Sequence, residues 1–88
     1  MKSFHANWSM NNRERYVKAF VEAFQVEESV LEGLEYTGIP EWDSVGHMTL
    51  IALLEEEFDI MMDTDDIIDF NSFEKGMELL KEHYDVEF

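Results

Sequence analysis

A small all-α bundle of three main helices and one short helix is the fold class that this sequence predicts. Apolar residues recur at helical spacing in three separate segments. Residues that are favoured as helix N-caps stand at the starts of these segments, and no segment has the pattern of a strand. A chain of 88 residues is enough for one domain. Such a domain buries roughly 60% of its unfolded surface.

The first helix is predicted from about Asn12 to Gln25. Asn11 is a suitable N-cap, and Glu14 stands three residues later, as in a capping box. The apolar stripe of this helix consists of Val17, Phe20, Val21 and Phe24. One face of the helix is therefore expected in the core.

A long connection without a regular element is expected from Val26 to Asp43, and long connections of this kind are often functional. The residues expected to hold it on the core are Val30, Leu31, Leu34 and Ile39. The second helix is predicted from Ser44 to Phe58. Its expected core residues are Met48, Leu50, Ile51, Leu54 and Phe58.

Two further helices complete the prediction. A short third helix is expected from Thr64 to Phe70, capped by Asp63, and the last from Ser72 to Tyr84. Asn71 and Glu74 have the spacing of a second capping box. The expected inward residues of the last helix are Phe73, Met77, Leu80 and Tyr84. Residues 1–10 are expected to be a loosely ordered extension, in which Phe4 and Trp8 are the candidates for docking, and 11–85 the domain.

The charge is strongly acidic and unevenly distributed. The formal net charge is −15, and all six Lys and Arg residues lie outside the stretch from Ala19 to Glu74. Such a field repels nucleic acids and anionic membranes and attracts proteins with basic patches. The chain has no cysteine, which excludes disulfides and thiolate metal sites, and no apolar run of membrane or signal-peptide length. A cytoplasmic monomer is expected.

Ser44 is the principal candidate site. A serine in the first turn of a helix lies beside unpaired backbone N–H groups, where the helix dipole favours an anion. A phosphodiester on its hydroxyl oxygen is therefore well placed. Asp43 and Ser44 are also common residues at helix starts, so this dipeptide alone is better explained by helix capping than by a modification site.

The wider pattern is more specific. The sequence reads Trp42-Asp43-Ser44-Val45, continues through Leu50 and Leu54, and reaches the run Glu55-Glu56-Glu57-Phe58-Asp59. An upstream helix, a long loop before the serine, a short acidic helix and a closing amphipathic helix surround it. From about Asn12 to Tyr84 the chain resembles the acyl carrier protein family.

The resemblance implies a role for Ser44. In that family the matching serine receives 4′-phosphopantetheine from CoA through a magnesium-dependent phosphopantetheinyl transferase, and the thiol of the arm carries an acyl group. Asp43 matches the residue before the serine. The chain would then be a non-catalytic carrier, serving acyl-loading and acyl-processing enzymes of fatty acid, polyketide or specialised lipid or saccharide biosynthesis.

The resemblance also implies a partner surface along the second helix. The matching positions are Val45, Met48, Glu55 and Glu56, and Met62 is expected on the same face. Acidic residues at the C-terminal end of a helix are disfavoured by its dipole. Their placement there indicates a use other than helix stability, such as steering basic partners toward Ser44.

Three positions bear on the kind of carrier. Trp42 and Val45 occupy places where the family often has Gly and Leu or Met. Gly46 lies inside the second helix, where it costs roughly 1 kcal/mol relative to alanine. These departures fit a discrete carrier for a specialised pathway at least as well as one for fatty acid synthesis.

Other functions are open at this stage. One is an acidic helical adaptor or divalent-ion-binding module without a prosthetic group, and another is a peptidyl or D-alanyl carrier. The segment from Asp63 to Glu74 resembles a calcium loop, but Ile68 stands where the sharp turn needs glycine. Asp43, Ser44 and His47 suggest a hydrolytic triad, but no oxyanion site accompanies them. No metal-binding or catalytic residue is expected.

Overall fold

The computed structural model describes residues 10–88, which form four α-helices. These are α1 (Asn12–Phe24), α2 (Ser44–Phe58), α3 (Thr64–Asp69) and α4 (Phe73–Tyr84). Within the described residues no strand forms, and only one isolated bridge joins Glu35 to Ser72. The predicted small all-α bundle is therefore confirmed. The expected N-terminal extension, with Phe4 and Trp8, lies outside the described residues except for its last residue.

Helix α1 starts at the predicted capping box. The side chain of Asn11 accepts a hydrogen bond from the Glu14 N–H at 2.8 Å, and the Glu14 carboxylate accepts one from the Asn11 N–H at 3.0 Å. The helix ends at Phe24, one residue earlier than predicted. Gln25 adopts a left-handed conformation, with φ of 57°, and its N–H still bonds to the Val21 carbonyl.

The predicted cap of α4 is wrong. Its N-cap is Ser72, whose hydroxyl oxygen accepts from the Lys75 N–H at 3.0 Å. The Glu74 carboxylate accepts instead from the Gly33 N–H at 3.1 Å, which ties the long loop to this helix. Asp63 precedes α3 as predicted but makes no side-chain capping bond.

The core is built around aromatic side chains of α1. Phe20 is fully buried, and its ring centroid lies 5.4 Å from that of Trp42 and 5.1 Å from that of Phe73. Helix α1 packs mainly against α2. The predicted stripe residues Val17, Phe20 and Phe24 are buried as expected, while Val21 is half-buried. The buried Tyr16, which donates from its hydroxyl to the Phe73 carbonyl at 2.7 Å, was missed because tyrosine is often exposed.

The long loop contains one 3₁₀ turn at Glu28–Val30, which the sequence did not predict. Leu31 and Leu34 are buried as expected, and Ile39 is half-buried, but Val30 is exposed, so its predicted role in the core is wrong. Backbone hydrogen bonds from Tyr36 to Asn71 and from Phe73 to Leu34, each 2.9 Å long, fasten the loop to the start of α4.

Trp42 anchors the end of this loop. Its side chain is fully buried and packs with ring-centroid distances of 5.3 Å to Phe24 and 6.3 Å to Tyr36. Its carbonyl accepts from the Thr37 N–H at 3.0 Å. Because Trp42 stands two residues before Ser44, its burial fixes where α2 begins.

A close backbone approach requires glycine at position 46. A Cβ atom built on Gly46 would lie 2.0 Å from the Glu41 carbonyl oxygen, a distance that real Cβ atoms do not tolerate. The loop thus crosses α2 at the one residue that leaves room for it. The helix-propensity cost of this glycine is offset by the packing that it allows.

We predict that Gly46→Ala destabilises the protein by about 1–3 kcal/mol, because the added methyl group forces the loop away from α2. Helix propensity alone predicts the opposite sign, a gain of roughly 1 kcal/mol. The free energy of unfolding in urea is the measurement. Thr49→Ala, at an exposed position of the same helix, is the control and is expected to stay within about 0.5 kcal/mol of the parent. A more stable Gly46→Ala variant would contradict the close contact.

Candidate functional site

Ser44 is the first residue of α2, and its side chain is exposed. Asp43 is the N-cap, and its carboxylate accepts from the Gly46 N–H at 2.8 Å. The N–H groups of Ser44 and Val45 have no partner inside the helix, as is general for a first turn. An anion on the Ser44 oxygen would therefore meet free donors and the positive end of the helix dipole.

A pocket of about 350 Å³ lies beside Ser44, between the start of α2 and α3. The residues that line it are Tyr36, Ser44, His47, Met48, Ile67, Ile68, Phe70 and Asn71. At its rim, Met48 is 52% exposed and Ile68 is 69% exposed. A concave apolar site with a few polar groups at its edge is the usual form of a small-ligand site. This pocket therefore suits a small apolar ligand.

His47 forms the inner polar part of the pocket wall. Its Nδ1 accepts from the Trp42 indole N–H at 2.9 Å, and its Nε2 lies 2.8 Å from the Ile67 carbonyl oxygen. An indole nitrogen only donates and a carbonyl oxygen only accepts, so these partners assign a neutral imidazole protonated at Nε2. The hydrogen bond from Nε2 satisfies the Ile67 carbonyl in the last turn of α3, where carbonyl groups lack N–H partners within the helix.

Breaking this chain of hydrogen bonds is costly. A buried polar group that loses its partner costs about 1–3 kcal/mol. An apolar ligand that broke these hydrogen bonds would gain only about 0.8 kcal/mol for each further methylene group that it buried. The aromatic rings behind His47 add packing, with the Trp42 centroid 6.1 Å away and the Phe70 centroid 6.0 Å away. The pocket thus has a firm inner wall.

The far side of α3 is held by a second polar cluster. Buried Asp66 accepts from the Tyr84 hydroxyl at 2.7 Å and from His83 Nδ1 at 2.9 Å, and the Asp63 N–H donates to the Tyr84 oxygen at 2.8 Å. The hydrogen bond from Tyr84, together with His83, lowers the pKa of Asp66 against the opposing effect of burial. Burial raises the pKa of Tyr84. Helix α3 is therefore tied to α2 on one side and to α4 on the other.

The acidic end of α2 is mostly explained by contacts within the molecule. Arg15 of α1 pairs with the Glu57 carboxylate at 2.9 Å, also donates to the Glu57 carbonyl, and lies 4.8 Å from the Phe58 ring centroid. The half-buried Glu55 carboxylate accepts from the Met62 N–H at 2.9 Å. Glu56 is exposed and makes no ion pair or side-chain hydrogen bond within residues 10–88.

The expected partner surface is only partly exposed. Val45 is 73% exposed, and Met48, which was also expected in the core, is exposed as a partner residue should be. Met62 is 6% exposed and belongs to the core, so its expected position on the surface is wrong. Met61, its neighbour, is 85% exposed instead.

The exposed Ile68 and the pocket beneath it were missed. Two adjacent isoleucines in a short helix cannot both face the same side, and this was the signal for one outward side chain. Ile67 turns toward the core and Ile68 toward solvent.

The triad suggested by Asp43, Ser44 and His47 does not form. The Asp43 carboxylate binds the Gly46 N–H, and both ring nitrogens of His47 are engaged by Trp42 and Ile67. His47 is thus not available as a base toward Ser44. Among residues 10–88, no group of three or more His, Cys, Asp or Glu side chains is arranged to hold a metal ion. No helix of the described part of the chain is long and apolar enough to cross a membrane.

No protein-family model, curated protein or solved structure matches this chain.

We predict that Glu55 and Glu56 differ in their effects on stability, although they are neighbours of the same charge. Glu55→Ala is expected to lower the free energy of unfolding by about 1–2 kcal/mol, because the Met62 N–H loses its partner. Glu56→Ala is expected to change it by less than about 0.5 kcal/mol. Urea unfolding of both variants is the measurement, and equal losses would contradict the assigned contact.

The lowered pKa of Asp66 predicts a loss of stability in acid. Its contribution is present above the unfolded pKa of about 3.9 and is lost as the pH falls through the lower pKa of the folded state. We therefore expect Asp66→Asn to lose less stability than the parent between neutral pH and strongly acidic pH. Thermal unfolding across this range is the measurement. Asp65→Asn, at an exposed position of α3, has the same charge change and should follow the parent.

Proposed function

We propose that the chain is a carrier of acyl groups, held as thioesters on a 4′-phosphopantetheine arm attached to Ser44. The observation that carries the proposal is the position of Ser44, which is exposed at the start of α2 and lines a pocket of about 350 Å³ with mostly apolar walls. A linking residue and an apolar compartment next to it are what a carrier of apolar groups needs.

The residues around Ser44 fit a phosphopantetheine group. The free N–H groups of the first turn of α2 favour the negative charge of a phosphodiester. The Asp43 carboxylate accepts from the Gly46 N–H, which leaves the N–H groups of Ser44 and Val45 for the phosphodiester. The group supplies a thiol that holds the acyl chain, and this chain's own residues supply the attachment point and an apolar surface.

In the proposed loading reaction, the Ser44 hydroxyl oxygen forms a new bond to the phosphorus of CoA that carries the pantetheine. The pyrophosphate P–O bond breaks and adenosine bisphosphate leaves. The hydroxyl proton passes to a base on the transferase, since the His47 ring nitrogens are engaged elsewhere.

The apolar lining of the pocket favours an acyl group over an aminoacyl group as cargo. Ile67, Phe70 and Met48 offer no partner for a charged amine, whose burial without one is costly. The pathway is proposed only as a class, namely fatty acid, polyketide or specialised lipid or saccharide biosynthesis, with a monomeric carrier in the cytoplasm.

The proposed partner surface consists of Val45, Met48, Met61 and Glu56, all exposed. Apolar residues surrounded by acidic ones suit enzymes that present a basic rim around an apolar contact. Glu55 is left out of this surface because its carboxylate holds the Met62 N–H.

We predict that incubation with CoA, magnesium and a broad-specificity phosphopantetheinyl transferase adds the mass of one phosphopantetheinyl group. Ser44→Ala is expected to remain folded and to gain nothing. Ser29→Ala, at an exposed position of the long loop, is the matched control and should be modified like the parent. Intact-mass measurement decides, and modification of Ser44→Ala or no modification of the parent would reject the assignment.

Glu56 is predicted to steer the transferase toward Ser44. Glu56→Lys should slow the modification several-fold at low salt, with less effect at high salt, because an exposed charge acts on encounter between the proteins. Glu22→Lys makes the same charge change on α1 and is expected to have a smaller effect. Initial rates at two salt concentrations are the measurement. Equal rates for both variants would mean that Glu56 belongs only to a solvated acidic surface.

A further inference from the structure

The side chains that line the pocket beside Ser44 range from exposed to fully buried. Its open rim carries the exposed side chains of Met48 and Ile68. Its inner end is closed by His47 and Phe70, and Phe70 is 1% exposed. A ligand that enters past Ser44 therefore meets this wall.

The wall has two components that resist displacement. The first is the chain of hydrogen bonds from the Trp42 indole through His47 to the Ile67 carbonyl. The second is the aromatic core behind it, where the rings of Phe70 and Trp42 pack against Phe20 at centroid distances of 6.2 Å and 5.4 Å. A longer ligand would have to separate hydrogen-bonded groups and open a close-packed core. The free energy gained by burying each added methylene group is smaller than the free energy lost in doing so.

We propose that His47, held by Trp42 and Ile67, sets the maximum length of the acyl chain that the pocket shelters. This rests on the proposed function. His47 acts here as a residue that determines specificity and takes no part in loading. Chains that exceed the pocket would leave their ends in water, where they add nothing to stability.

The test is a series of carriers loaded from acyl-CoA compounds, from acetyl to palmitoyl, by a broad-specificity transferase. Each is verified by intact mass, and its melting temperature is recorded. For the parent, the melting temperature is expected to rise by a few degrees as the chain lengthens and then to stop rising well before palmitoyl. A rise that continues to palmitoyl in the parent would overturn the proposal.

Two variants of His47 test which residue sets the limit, meaning the chain length at which the melting temperature stops rising. His47→Ala removes the imidazole and should move the limit to longer chains. His47→Gln should keep the limit of the parent, because its amide can accept from the indole and donate to the carbonyl. Leu79→Ala, in the core of α4, is the control for lost stability and should lower all melting temperatures without moving the limit. An unchanged limit in His47→Ala would overturn the role of His47.

A second readout does not depend on any variant at position 47 folding. The NMR signal of the Trp42 indole N–H reports the hydrogen bond to His47, and Trp8→Phe assigns it, since the chain has two Trp residues. This signal is expected to stay nearly constant across the series in the parent. A signal that shifts progressively as the chain lengthens would mean that the chain enters the wall, and would overturn the proposal. Absence of any added mass would instead reject the proposed function.

Discussion

The hydrogen bond from the Trp42 indole to His47 joins three parts of the molecule that are separate in the sequence. Trp42 ends the long loop, His47 belongs to the first turns of α2, and the other nitrogen of His47 holds the carbonyl of Ile67 in α3. Because the indole is fully buried against α1, the position of Ser44 and one side of α3 depend on this one interaction. The pocket beside Ser44 exists because these three segments meet at His47.

The acidic residues fall into two groups, those that bind other groups of the molecule and those that are exposed. Some are structural, such as Glu57 paired with Arg15, Glu55 bound to the Met62 N–H, and Asp66 bound to Tyr84 and His83. Others, such as Glu56, are exposed and free to act on partners. Arg15 also offsets the dipole at the end of α2 by donating to the Glu57 carbonyl. A cluster of like charges in a sequence can therefore contain residues with quite different roles.

The helices were predictable because local rules decide them. The capping box at Asn11 and the stripe of Val17, Phe20 and Phe24 specify α1 without reference to the rest of the chain. The start of α2 at Ser44 follows from the same rules. The exposed position of Ser44 in its first turn was predictable for this reason.

The remaining features depend on contacts between distant segments. The sequence identifies Gly46 as a cost, but only the folded loop reveals the Glu41 carbonyl that requires it. It places Met62 on the surface, although a carboxylate seven residues earlier draws that backbone inward. It suggests His47 only as a member of a hydrolytic triad, because neither the Trp42 indole nor the Ile67 carbonyl can be assigned to it from spacing. The pocket follows from these same contacts and was missed with them.

A double-mutant cycle on Trp42→Phe and His47→Leu, measured as free energies of unfolding in urea, tests most directly whether this interaction organises the site. Each single variant removes the hydrogen bond, so the second change should cost less once the first is made. We predict a coupling free energy of about 1–3 kcal/mol between the two positions. Additive effects, within about 0.5 kcal/mol, would mean that Trp42 and His47 stabilise the fold independently and would contradict this account.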